Sequence, residues 1–105
     1  MNVTYKNNKL RKYAEDKKFS VQKLGPLRSE LYLLRIGDLL AAETLEDVRH
    51  LPGRYHELTG DRKGQWACDL DQPYRLIIWG AEPNKAVIWA EVTEAEVIEI
   101  VDYHK

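Results

Sequence analysis

The hydrophobic period of this chain changes once, at Gly53, and that change limits the folds open to it. Before Gly53, apolar residues recur at three- and four-residue spacing; after it they alternate. A helical period followed by a period of two describes helices first and strands second. Asn7 or Asn8 can cap a first helix. Leu10, Tyr13, Ala14, Val21 and Leu24 are its apolar positions, with an interruption expected at Phe19 and Ser20. Gly25 suits a left-handed C-terminal cap, and Pro26 suits the first turn of a second helix that runs to about Ala42. Leu27, Leu31 and Leu34 make one stripe on that helix, and Leu33, Ile36 and Leu40 make another, which implies burial on two sides. Gly37 lowers helix propensity and reads as a place for close packing. The two helices form an αα-hairpin. "TLED", Thr44 to Asp47, has the form of a capping box that opens a short helical turn ended by "LPG".

Strands are expected at Tyr55–Leu58, Gln65–Leu70, Tyr74–Trp79 and Val97–Tyr103, with a further apolar segment at Ala86–Val92. Val3 and Tyr5 alternate weakly, so Met1–Tyr5 is a candidate first strand. "TGDRKG", "DQP" and "GAEPNK" are the turns. In the second strand, Trp66, Cys68 and Leu70 share one face. The implied architecture is α+β, an N-terminal helical hairpin packed on a mainly antiparallel β-sheet. Residues 1–105 fit a single domain.

Charge and composition remove several function classes. Residues 1–25 carry seven Lys/Arg and two Asp/Glu, a balance of +5; residues 26–105 carry nine and fifteen, a balance of -6. High overall basicity therefore does not argue for nucleic acid, and only a local patch remains. The Lys-rich start (Lys6, Lys9, Arg11, Lys12, Lys17 and Lys18) fits an acidic partner, ribosomal RNA or a plain solvated face. A single cysteine, Cys68, allows no disulfide framework and no thiolate zinc cluster. No apolar run nears the ~20 residues of a bilayer-spanning helix, and the polar N-terminus lacks a signal-peptide core. A cytoplasmic protein without membrane contact is expected.

No Gly-rich phosphate loop, HExxH or GxSxG is present. Asp69 and Asp71, at a strand end and turn, read as solvated. The remaining constellation is basic and aromatic: Arg54, Tyr55, His56, Arg62, Lys63, Arg75 and the terminal "DYHK". Such a set suits RNA cleavage without a metal. A base takes the 2′-OH proton, cations neutralise the phosphorane-like transition state, and an acid protonates the leaving 5′-oxygen. Turn cations such as Arg62 and Lys63 are commonly only solvated, and a strand His is commonly structural. Arg75 is more informative. It interrupts an apolar strand and needs an anion, for which Asp102 is a candidate.

"LPGRYHELTGDRKGQWACDL", "YRLIIW" and "IEIVDYH", in this order and spacing, resemble the HigB-type killer toxins of the RelE/ParE toxin–antitoxin superfamily. The resemblance covers most of the chain. It implies a RelE-like fold and a ribosome-dependent endoribonuclease that cuts mRNA in the A site and uses no cofactor or metal. Its implied partners are the ribosome, mRNA and a helix-turn-helix antitoxin, with operator DNA reached only through that antitoxin. By position, the implied catalytic residues are His56, Arg75, Asp102, Tyr103 and His104. His104 would transfer the proton, with Asp102 as its partner. Arg62, and with it Lys63 and Arg54, would contact RNA. One departure stands out: Thr59 occupies a position where the family commonly has a Lys. Two alternatives remain open. A ParE-like gyrase poison is disfavoured by the terminal Asp-Tyr-His. A non-nucleolytic toxin-fold protein that acts through its antitoxin as co-repressor is favoured by Thr59 and the low net charge.

Overall fold

Asn7 sets the first helix. Its Oδ1 accepts from the Leu10 amide at 2.9 Å, which satisfies one of the donors a helix start leaves open. The computed structural model describes residues 1–82 and 86–103. Their elements are β1 (Asn2–Tyr5), α1 (Asn8–Glu15), α2 (Lys17–Leu24), α3 (Pro26–Ala41), β2 (His56–Glu57), β3 (Gln65–Asp69), β4 (Tyr74–Trp79) and β5 (Glu94–Asp102). Short 3₁₀ turns occupy Leu45–His50, Gly60–Arg62 and Trp89–Glu91.

The first helix of the hairpin is broken, but at Asp16 and not at Phe19–Ser20. Asp16 leaves helical geometry, ends α1 and caps α2 through Oδ1 to the Phe19 amide at 3.1 Å. The bend lets the Tyr13 and Phe19 rings stack, centroids 5.6 Å apart. Gly25, at φ 85, turns the chain into α3, where Pro26 opens the helix. Ser20 and Ser29 meet between α2 and α3 with hydroxyls 2.7 Å apart, both buried. Tyr32 donates to the Leu10 carbonyl at 2.7 Å and ties α3 to α1.

The double leucine stripe on α3 is not buried as a whole. Ser29, Tyr32, Arg35, Ile36 and Leu39 form the buried face, whereas Leu27, Leu34 and Leu40 are 57%, 53% and 57% exposed. α3 lies on the outside of a two-layer fold, and the face it turns inward shares only Ile36 with the two expected stripes. Gly37 is not a close contact either; a Cβ there would meet nothing within 4 Å.

The sheet has order β1-β5-β4-β3-β2. β1 runs parallel to β5 and the other pairs are antiparallel. Trp66, Cys68, Leu70, Leu76, Ile78, Ala95 and Val97 pack against Leu10, Tyr13, Tyr32, Ile36 and Leu39. Each large apolar side chain so buried contributes about 1.5–3 kcal/mol. β5 begins at Glu94, earlier than the expected Val97, where Glu94–Val97 pair with β1; a register shift falls at Ile77/Ile78 in its pairing with β4. The segment around Ala86–Val92 forms no strand; it carries the Trp89–Glu91 turn, and Trp89 packs edge-on against Trp66 at 5.3 Å. Residues 83–85 of the expected "GAEPNK" turn lie outside the described residues. Among the described residues no helix is long and apolar enough to cross a membrane.

Candidate functional site

Strand alternation gives the sheet a second face. With Trp66, Cys68, Leu76 and Ile78 turned toward the helices, Gln65, Ala67, Asp69, Arg75, Ile77 and Trp79 point the other way. β2 and β5 add His56, opposite Ala67, and Glu99 and Val101, opposite Ile77 and Arg75. Ala67 and Ile77 on this face are fully buried.

Arg62 accounts for part of that cover. From the Gly60–Arg62 turn, its Nη1 donates to Gln65 Oε1 at 2.9 Å and its Nη2 to Glu99 Oε1 at 3.2 Å. Gln65 and Glu99 belong to β3 and β5, so the guanidinium lies over β4 between them. It also lines a cleft of about 260 Å³ with Val101, Asp102 and Tyr103.

One row further along, Asp69 and Arg75 stand opposite each other across β3 and β4. Asp69 Oδ1 is 3.5 Å from Arg75 Nε, and its Oδ2 is 3.5 Å from Arg54 Nε. Both separations exceed the ~2.7–2.9 Å of a charge-assisted hydrogen bond. Asp69 Oδ1 is solvent-inaccessible and accepts no hydrogen bond. The other side of Arg75 faces Tyr103, whose ring centroid is 4.6 Å from the guanidinium carbon. Tyr103 is drawn in by its own amide, which donates to the Pro73 carbonyl at 3.1 Å. Asp69 and Asp71 are therefore not simply solvated: Asp71 takes a two-point bond from Arg28 at 2.9 and 3.0 Å.

His56 is fixed by its backbone neighbour. Its Nδ1 lies 2.6 Å from the Arg54 carbonyl oxygen. A carbonyl only accepts, so Nδ1 carries the hydrogen, and in the neutral ring Nε2 presents a lone pair. Arg54 holds this geometry at φ 54, an uncommon conformation for a residue with a side chain. By strand spacing, His56 and Arg75 have Cα atoms on the order of 12 Å apart. That distance leaves room for a phosphodiester between their side chains.

Beneath the face, Cys68 is buried and its thiol is pushed up from the ordinary 9.0 by desolvation, so no thiolate nucleophile is available. The fold thus brings Arg54, His56, Arg62, Arg75 and Tyr103 to one face. Asp102 ends β5 opposite Tyr74 and lines the same cleft as Arg62 and Tyr103. The carboxylate across from Arg75 is Asp69. Lys63 is exposed and lines a different cleft of about 410 Å³, with Thr59, Glu57 and Trp89. The loop folds back far enough to put Lys63 and Thr59 on the same cleft. His104 lies outside the described residues. Sequence reasoning missed Asp69, Gln65 and Glu99. For Asp69 a signal existed: alternation puts it on the face opposite Trp66 and Cys68, and a tight "DQP" turn places it against Arg75.

No family model matches the sequence, and no curated protein matches it significantly. Among solved structures the chain is similar to a YoeB/ParE toxin from Agrobacterium tumefaciens, with 15% identity over 95% of both chains and a TM-score of 0.50. The fold is RelE/ParE-like. At this identity the likeness is one of fold.

Proposed function

We propose that this chain is the toxin of a type II toxin–antitoxin module, of the HigB kind, and an endoribonuclease that cleaves mRNA on the ribosome. The observation that carries this reading is His56, held with Nδ1 on a backbone carbonyl and Nε2 free, on the same open sheet face as Arg62 and Arg75. His56 Nε2 takes the proton of a 2′-OH, and the 2′-oxygen attacks the adjacent phosphorus. Arg75 and Arg62 neutralise the charge that develops on the phosphoryl oxygens. The P–O5′ bond breaks, and His104, assigned by the resemblance alone, donates the proton to the leaving oxygen. The products are a 2′,3′-cyclic phosphate and a 5′-hydroxyl. Tyr103, exposed and stacked on Arg75, offers a ring for an unstacked base. A helix-turn-helix antitoxin is the silencing partner, and operator DNA is reached through it.

The test is purified chain with programmed ribosomes and end-labelled mRNA. Cuts at A-site codons, lost in His56→Ala and Arg75→Ala, support the reading. Intact mRNA under these conditions sinks it.

One observation favours a second reading, a toxin-fold protein that acts only through its antitoxin as co-repressor. Each arginine of the open face is already opposite a carboxylate: Arg54 and Arg75 face Asp69, and Arg62 faces Glu99. Tight antitoxin binding together with intact mRNA selects it.

A further inference from the structure

Arg28 and Asp71 display a closed ion pair in this molecule. Two nitrogens meet two oxygens at 2.9 and 3.0 Å, and the guanidinium lies 3.5 Å from the centroid of the Tyr74 ring. Asp69 is held differently. It sits between two guanidinium groups, Arg54 and Arg75, at 3.5 Å from each, and its inaccessible Oδ1 receives no hydrogen bond. A monoanion placed between two cations, and fully bonded to neither, has the charge of a phosphodiester. A phosphodiester also has two free oxygens and one charge, but it is not tethered to β3, so it can approach both forks at full hydrogen-bond strength.

We propose that Asp69 is a built-in counter-ion that occupies the phosphodiester position between Arg54 and Arg75 and competes with the RNA backbone for it. The proposal rests on the nuclease reading of this face, but it concerns binding and not cleavage. Without RNA, Asp69 offsets the mutual repulsion of the two arginines. With RNA, its charge opposes the incoming phosphate at close range. The chain then binds free single-stranded RNA weakly and depends on further contacts, such as those a ribosome supplies, to displace the carboxylate.

Asp69 is suited to a clean test because its backbone and side chain have separate roles. Its carbonyl accepts from Arg35 Nε at 2.8 Å, and its amide donates to the Gly53 carbonyl at 2.7 Å. Asp69→Asn keeps both bonds and removes only the charge. The probe is a short 2′-O-methylated single-stranded RNA, which has no 2′-OH to react, read by fluorescence anisotropy across a salt series. Asp69→Asn is expected to bind roughly three- to tenfold tighter than the parent, with a steeper salt dependence. Arg75→Gln in the Asp69→Asn background is expected to abolish the gain. Unchanged or weaker binding by a folded Asp69→Asn chain overturns the proposal, as does a gain that survives the loss of Arg75. Asp69→Ser serves if the Asn variant does not fold. Cleavage on ribosomes is scored separately. Tighter binding with no cleavage by any variant upholds the counter-ion and removes the nuclease reading. Cleavage by the parent with no gain in Asp69→Asn removes the counter-ion alone.

Discussion

The imidazole of His56 is bonded through Nδ1 to the carbonyl of Arg54, two residues back in the chain. This short loop fixes which nitrogen is free, so ring position and proton chemistry are set together. His56→Ala is expected to lower ribosome-dependent cleavage by about 10²–10⁴-fold, the range for removal of a general base. His56→Asn can still donate to the Arg54 carbonyl but cannot accept a proton at the Nε2 position. It is expected to be as inactive as His56→Ala while unfolding at the parent temperature. Single-turnover cleavage and a thermal melt on the same samples check this. An active Asn variant would reduce His56 to a positioning residue.

Arg75 is gripped on two sides, by Asp69 at 3.5 Å and by the face of Tyr103 at 4.6 Å. Its planar fork serves both contacts, and a lysine ammonium reproduces neither well. Arg75→Ala is expected to lower cleavage by about 10²–10³-fold, the scale for loss of one donor to a developing oxyanion. Arg75→Lys is expected to recover less than a tenth of the parent rate. Neither variant touches the core, so the Tm is expected to stay within about 5 °C of the parent. Near-parent cleavage by Arg75→Lys would show that charge alone suffices at this position.

Gly53 joins the helical half to the site. At φ 113 it adopts a conformation that side-chain residues avoid, and a Cβ there would lie 2.7 Å from Arg35 Cζ and Nε. Arg35 is buried and donates to the Asp69 carbonyl, so it has little room to give. Gly53→Ala is expected to cost at least about 2 kcal/mol in urea denaturation, from backbone strain and the displaced guanidinium together. Gly37→Ala is the control. It lies in a helix with open space around it, and a gain of up to about 1 kcal/mol is expected.

What could be read from the sequence was what neighbouring residues decide. The Asn7 cap, the Gly25–Pro26 corner, the Thr44–Asp47 box and the alternation from Trp66 to Leu70 all act over a few residues, and all four are present. The break at Asp16 was masked because Lys17 and Lys18 suit a helix as well as any residue, although Asp16 is a good N-cap and caps α2, with Phe19 stacked on Tyr13 across the bend. The outward leucines of α3 were hidden because a helix apolar on several sides does not say which side the sheet takes. Arg54, His56, Arg62 and Arg75 were legible as a set by residue type. Their anions were not. Asp69 meets Arg75 only after the Leu70–Tyr74 turn closes, through Tyr74 N to Asp71 O at 2.7 Å and Leu70 N to Tyr74 O at 3.1 Å. Glu99 meets Arg62 only because β5 pairs with β4, a contact across 37 residues of chain.

Three buried acids are expected to lower stability at alkaline pH. Burial raises the phenols of Tyr32 and Tyr55 above their ordinary 10.0 and the thiol of Cys68 above its ordinary 9.0. Tyr55 also donates to Asp38 at 2.9 Å, which further favours its protonated form. Each group is neutral when protonated, so the folded state holds these protons more tightly than the unfolded chain does. Below the unfolded values both states are protonated and the full stability is present. As pH rises through about 9 and then 10, the unfolded chain ionises first and stability falls. The urea midpoint is therefore expected to decline progressively above pH 9. Tyr55→Phe removes one raised phenol and is expected to flatten the decline above pH 10, while lowering stability near neutrality by about 1 kcal/mol for the lost hydrogen bond. A decline that is just as steep in Tyr55→Phe would show that its phenol ionises alike in the folded and unfolded chain.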